Sequence, residues 1–236
     1  MARKQATSLT EIADAAVTYV TRNGFKQMQM AGLAKEIGVS AGTLYTYVEN
    51  KEALLSLATT YLLSDEKLPD LPLPVRAIPT DAIVEQFIET AAKWAQWPVL
   101  EQAIADADTS HKTLSAVGEE LYGLIRKYWR AILLLDRLAN DRADFAPVHT
   151  NQVRGGLVGD LVILMQKAES PYDVHELGII ARAANEGVSW AAMHRHLEGE
   201  ARQAVGDLSE DEICVLASRT FAAALTAALP ESDSRP

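Results

Sequence analysis

Residues 29–55 read QMAGLAKEIGVSAGTLYTYVENKEALL, and the spacing of apolar and small residues in this stretch decides the fold. Met30, Leu33, Ala34 and Ile37 recur at helical spacing and predict a short helix. Gly38-Val39-Ser40 interrupts it, since glycine allows a sharp reversal and Ser40 is a good cap for whatever follows. A second short helix is expected from about Ala41 to Val48, with Leu44 and Val48 one turn apart on its inner side. Asn50 then suits the N-cap of a longer helix carrying Ala53, Leu54, Leu57, Ala58, Tyr61 and Leu62. Two short helices joined by a glycine-bearing turn have the spacing of a helix-turn-helix, whose second helix lies in the DNA major groove. On periodicity alone, the pattern fits equally an ordinary three-helix core whose polar residues are merely solvated.

Upstream, Ser8 followed by Glu11 is a capping-box pattern. Leu9, Ile12, Ala13, Ala16, Val17 and Val20 give one apolar stripe, and Asn23-Gly24-Phe25 supplies a helix stop with a hydrophobic contact behind it. Downstream, Pro69, Pro72, Pro74 and Pro79 forbid a continuous helix. They place a junction at about 64–79 between a domain at 1–63 and a second domain at 80–236. The second domain reads as helical throughout: about 80–97, a short helix after Pro98, then about 113–140, 148–168, 173–198 and 209–229. Ser209 with Glu212 repeats the capping box. No alternating strand pattern of useful length is present, so the fold class is all-α, with an N-terminal three-helix helix-turn-helix domain followed by a helical C-terminal domain.

The formal net charge of −10 argues at first sight against nucleic acid. Its distribution matters more. Residues 1–63 hold six Lys/Arg against five Asp/Glu, so the acidity belongs to the remainder. An acidic body keeps DNA contact confined to the near-neutral head. The one cysteine, Cys214, sits in an apolar helical pattern and reads as a small hydrophobe. No signal-peptide pattern and no membrane-spanning apolar run is seen, which predicts a cytoplasmic protein without membrane association.

The segments LTEIADAAVTYVTRNGF (9–25) and LAKEIGVSAGTLYTYVENKEALL (33–55) resemble the N-terminal domain of the TetR family of transcriptional regulators. The resemblance covers about the first quarter of the chain. It implies a dimer binding palindromic operator DNA, a repressor by family default. By position it implies that Thr43, Thr46, Tyr47 and Lys51 contact the DNA backbone, and that Ala41, Gly42 and Tyr45 approach base edges. The resemblance also places Ser40, which opens the recognition helix, and Gln29, which opens the preceding one, among the DNA-binding residues. Met28 and Gln29 stand where the family often has Thr or Ser, so direct contacts are expected to be sparse and DNA shape to carry more of the selectivity. Arg3 and Lys4 suit an arm toward the minor groove; a solvated basic start fits them as well.

Two-fold readers need a dimer axis, and the last two helices offer small and apolar residues for one: Leu177, Ala181, Ala184 and Val188, then Ile213, Ala217, Phe221 and Ala224. The same residues also suit an intramolecular core, on different faces. Trp94, Trp97, Tyr122, Trp129 and Met165 are candidates to line a pocket for a small, largely apolar effector, although each alone fits a plain core position. Arg126, Arg130, His149 and Arg154 are possible polar partners. No Glu has a His three residues later, no phosphate-binding glycine loop or nucleophile elbow is present, and His194 and His196 point apart on a helix. Catalytic and metal-ligating residues are therefore expected to be absent, with no cofactor. A helical protein–protein adaptor that kept the fold but lost DNA binding is the competing reading.

Overall fold

The computed structural model describes residues 7–64, 68, 70–197 and 205–230, with backbone alone at 151–154; the expected arm at Arg3 and Lys4 and the side chain of Arg154 lie outside the described residues. The described chain is helical, with an isolated bridge at Val48 and Val75 and no strand among the described residues. Its helices are α1 (Leu9–Asn23), α2 (Met30–Glu36), α3 (Ala41–Tyr47), α4 (Lys51–Leu63), α5 (Thr80–Trp94), α6 (Pro98–Asp106), α7 (His111–Asp141), α8 (Gly156–Lys167), α9 (Val174–Ala192) and α10 (Glu210–Thr226). The chain forms two compact units. One comprises Met1–Ala92 with Arg130–Gln152; the other comprises Lys93–Trp129 with Val153–Pro236. The long helix α7 contributes to both.

In the first unit, α1 starts where the capping box places it. Ser8 Oγ accepts from Glu11 N at 3.2 Å, and Glu11 Oε2 accepts from Ser8 N at 2.8 Å. The helix stops at Gly24, whose φ of +83° suits glycine, and where a Cβ would fall 2.9 Å from Asp141 Oδ2. Ser40 and Asn50 cap α3 and α4 by accepting from Thr43 N at 3.0 Å and Ala53 N at 2.9 Å. From Ala53 to Thr59, α4 is buried on every side, as befits a central helix packed on α1.

The described end of the proline-rich stretch, Val75 to Ile78, is tied down. Val75 N donates to Tyr47 O at 2.8 Å, Glu49 N donates to Val75 O at 3.0 Å, and Ile78 N donates to Ser56 Oγ at 3.0 Å. These bonds attach it to the end of α3 and to α4, so it packs within the first unit. The same unit includes most of α5 and the end of α7, where the sequence suggested a boundary at 64–79. Prolines leave a segment without helix, but its remaining N–H groups still seek acceptors.

The last third of α7 lies along this unit through one stripe, Arg130, Leu134, Arg137 and Asp141, spaced i, i+4, i+7 and i+11. Arg130 Nη1 is 2.7 Å from Asp14 Oδ1, and Arg137 Nε donates to Thr21 O at 3.0 Å. Beyond α7, Val148–Gly155 is wound as a π-helix before α8 begins, where the periodicity predicts one continuous α-helix.

In the second unit, Pro98 takes the first position of α6, and Glu120 of α7 accepts from Val99 N and Leu100 N at 2.9 and 3.2 Å. A carboxylate thereby satisfies the unpaired donors of that helix start. Helix α9 opens with a capping box at Asp173 and Glu176, and α10 opens with the expected one at Ser209 and Glu212. The two helices pack along each other. Gly118 lets α7 approach α10 closely, since a Cβ there would meet Ser218 Cα at 2.9 Å.

Candidate nucleic-acid interface

The helix-turn-helix presents a narrow, small-residue edge. Leu44, Tyr47 and Val48 are buried beneath α3, while Gly42, Tyr45 and Thr46 face outward and Ala41 and Thr43 are half-buried. Tyr45 is 48% exposed, which makes it the large side chain presented by the reading edge. Gly42 leaves the leading turn open to close approach.

The hydroxyls are engaged within the unit. Ser40 Oγ and Thr43 Oγ1 lie 2.8 Å apart and share one hydrogen bond, and Thr46 Oγ1 donates to Thr43 O at 2.7 Å. Those three sit at the surface, where a proton can rotate to a phosphate acceptor. Tyr47 differs: it is 7% exposed and its hydroxyl donates to Thr7 O at 2.9 Å. The geometry makes Tyr47 a core strut rather than a surface donor. The sequence held the signal, because 44, 47 and 48 are i, i+3 and i+4 and share one face. Met28, noted in sequence as lacking a phosphate donor, is also buried. Gln29 occupies the N-cap of α2 and is exposed, with no side-chain bond to the helix start.

Lys51 opens α4. Its Nζ donates to Lys26 O at 3.1 Å and stands 4.5 Å from the centroid of the Phe25 ring. A cation over an aromatic face is held electrostatically while its outer side stays open. Lys51 is thus a positioned point charge beside the end of the recognition helix.

Of the candidate effector residues, all in the second unit, Trp94, Trp97, Tyr122 and Met165 are buried and Trp129 is half-buried. They have separate neighbours. Trp94 stacks on Tyr128 at 4.2 Å between centroids, and Trp129 lies 5.4 Å from the His196 ring. Tyr122 donates to Glu210 Oε2 at 2.9 Å, and the same carboxylate pairs with Arg126 at 3.2 Å and with Arg195. Burial would raise the Glu210 carboxyl, but the bonds from Arg195 and Tyr122 and the charges of Arg195 and Arg126 outweigh it and hold it down at about 2. Burial, helped by the charges of Arg195 and Arg126, lowers the neighbouring His196. Sequence leaves the arginine roles open because Glu210 is 84 residues from Arg126.

The expected dimer residues divide into two sets. Leu177, Ala181, Ala184, Val188, Ile213 and Phe221 are buried by their own chain, and Ala217 and Ala224 are half-buried. Ala184, Ile213, Ala217, Phe221 and Ala224 form the floor of a cavity of about 340 Å³ between α9 and α10. Gly187, Trp190, Leu216 and Thr220 stand at its rim. Among the described residues no group of three or more His, Cys, Asp or Glu is placed to hold a metal ion, and no helix is long and apolar enough to cross a membrane.

Residues 12–58 match the family model for bacterial regulatory proteins of the tetR family. A 45-residue segment is 47% identical to the fatty acid metabolism regulator protein of Bacillus subtilis, covering 19% of this chain and 23% of that protein. Among solved structures, similar chains include a TetR-like transcriptional regulator from Rhodococcus sp. RHA1, at TM-score 0.46 and 18% identity over 92% of this chain and 94% of that one. Another is the transcriptional regulator FadR from Bacillus subtilis in complex with stearoyl-CoA, at TM-score 0.45 and 17% identity over 93% and 98%. The helix-turn-helix built on Leu44, Tyr47 and Val48 is, over residues 12–58, the N-terminal domain of the tetR family of bacterial regulatory proteins.

Proposed function

We propose that this chain binds double-stranded operator DNA as a homodimer and represses transcription until a small, largely apolar effector releases it. The observation that carries the reading is the exposed edge of α3, with Gly42, Tyr45 and Thr46 outward over a buried seam and Lys51 fixed at its end. Small residues let a helix approach the base edges of the major groove closely, and hydroxyls or cations bond the flanking phosphates. The tetR-family match covers these positions.

One such helix reads a few base pairs, so a palindrome requires two chains. The apolar cavity between α9 and α10 supports a two-fold contact at this place, with a second copy covering it. The likeness to the fatty acid metabolism regulator covers only 45 residues, too short a segment to identify an effector. Its class is read from residue types in this chain: Trp94, Trp97, Tyr122, Trp129 and Met165 place aromatic and thioether side chains in the second unit, the kind that suits an apolar molecule.

Selection of bound sequences from a random duplex pool, followed by titration across salt concentrations, tests the proposal. The expected result is a palindromic site bound by two chains, with affinity falling steeply as salt rises. Absence of binding at low salt would favour the adaptor reading. A screen of apolar ligands by thermal shift, repeated on the DNA complex, tests the switch; a ligand that binds without changing DNA affinity would rule itself out as effector.

A further inference from the structure

We propose that Asp141 and Arg142, the last residue of α7 and its neighbour, are positioning residues for the phosphate contact of Lys51. The inference rests on the DNA-binding reading and adds a control point within the first unit, far from the recognition helix in sequence.

A lysine ammonium is a point charge on a flexible stem, so its value as a contact depends on what holds it. Lys51 Nζ is held by two groups, the Lys26 carbonyl at 3.1 Å and the Phe25 ring at 4.5 Å. Both belong to the turn between α1 and α2, which begins at Gly24 in a conformation reserved for glycine. Asp141 fixes that turn. Its Oδ2 accepts from Lys26 N at 3.0 Å and fills the space beside Gly24 that a Cβ would occupy. The peptide residue that presents its carbonyl to Lys51 is therefore the one whose N–H is tied to Asp141.

Arg142 acts on the same ring and on the helix start that bears Lys51. Its guanidinium stands 5.8 Å from the Phe25 centroid, so Lys51 and Arg142 share one ring. Its Nη1 bonds Glu52 Oε2 at 2.8 Å, the residue directly after Lys51, and its Nη2 donates to Thr80 Oγ1 at 2.7 Å. Two consecutive residues at the end of α7 thus grip the support beneath Lys51 and the helix start that bears it.

The test is a double-mutant cycle in the full chain, using a selected duplex or, at low salt, any duplex. K51M should weaken binding and flatten the dependence of log affinity on log salt by about 0.9 for each phosphate that is no longer neutralised. D141A and R142M should each weaken binding by about three- to tenfold, the scale of one displaced charge. In the K51M background, neither should change affinity further. R142K, which keeps a cation against Glu52, should restore part of the affinity.

A readout without DNA is the rate at which an acetylating ester modifies Lys51, measured against exposed Lys35 by mass spectrometry. Lys51 should react more slowly than Lys35 in the unaltered protein, which needs no variant to fold, and should speed up in D141A and R142M. Losses that add to K51M, or an acetylation rate at Lys51 unaffected by either variant, would overturn the proposal. If K51M binds DNA as the unaltered protein does, the assignment of Lys51 as a phosphate contact falls first, and the proposal with it.

Discussion

Arg130 and Asp14 are 116 residues apart in the chain, yet Arg130 Nη1 lies 2.7 Å from Asp14 Oδ1 and Nη2 bonds the Asp14 carbonyl at 3.3 Å. Tyr61 of α4 donates to the same carboxylate oxygen at 3.3 Å. One aspartate in α1 therefore joins three helices, α1, α4 and α7, beneath the helix-turn-helix. With Arg137 on Thr21 and Asp141 on Lys26, the end of α7 is attached to α1 from Asp14 onward and to its following turn.

Replacing Arg130 by Met keeps the stem and removes both bonds. Both side chains are partly exposed, so the destabilisation is expected to be about 1 kcal/mol rather than the several that a fully buried pair would give. Urea denaturation followed by circular dichroism measures it. The D14N/R130M double variant should be destabilised by less than the two single effects added, because the pair acts as a unit.

These long-range bonds mark where the sequence stops being informative. Helix starts were legible because their chemistry is local: Ser8 with Glu11, Ser209 with Glu212 and Asn50 with Ala53 each lie within one turn. Pro98 opened a helix for the same reason. Asp14, Arg130 and Asp141 carry no local signature, since their partners come from distant parts of the chain. The π-helical turn at Val148–Gly155 was equally hidden, because an extra residue per turn leaves the apolar spacing close to helical. At the reading edge the buried face was legible from Leu44 and Val48, and Tyr47, at i+3 from Leu44, falls on it; only the family resemblance set its hydroxyl among the DNA contacts.

Tyr47→Phe separates a core role from a DNA role. Its hydroxyl is buried and bonds Thr7 O at 2.9 Å, so the variant should lose about 1 kcal/mol of stability, the usual net worth of such a bond. The slope of log affinity against log salt should be unchanged. A shallower slope with unaltered stability would instead make Tyr47 a phosphate contact.

Gly118→Ala should destabilise the second unit although alanine is the better helix former by about 1 kcal/mol. The added Cβ meets Ser218 Cα at 2.9 Å, Ser218 Cβ at 3.0 Å and Phe221 Cδ1 at 3.2 Å. Two of those atoms belong to backbone or to the side-chain root and have no rotamer by which to retreat. Overpacking of this kind costs about 1–3 kcal/mol, enough to exceed the propensity gain. A higher melting temperature in G118A would show that α7 and α10 separate freely.

Glu210 gives the second unit an acid dependence. Its carboxyl is held at about 2 against an ordinary value of 4.5, so the folded state favours the charged form. The contribution is fully present above about pH 4.5 and is lost as pH falls from there toward 2. Thermal melts across that window should therefore show a steeper decline in the unaltered protein than in E210Q. Partial exposure of Glu210 screens the pair, so the difference is expected to be modest but of this sign. Identical acid profiles would mean that Arg195, Arg126 and Tyr122 do not hold the carboxylate in solution.

The last prediction concerns which face of α9 and α10 meets a second chain. Leu177, Val188 and Phe221 are buried by their own chain, so polar substitutions there unfold the unit and report nothing about association. Ile179 and Leu216 are 72% and 51% exposed, and Leu216 stands at the rim of the α9–α10 cavity. An exposed apolar side chain gains by burial against a partner, whereas a carboxylate there must be desolvated without a counter-charge. I179E and L216E should therefore leave circular dichroism unchanged while shifting sedimentation from two chains toward one. Affinity for a palindromic duplex should fall with the dimer, because the second head no longer arrives with the first. If both variants sediment as the unaltered protein does, the two-fold contact lies on another face and the cavity between α9 and α10 has a different use.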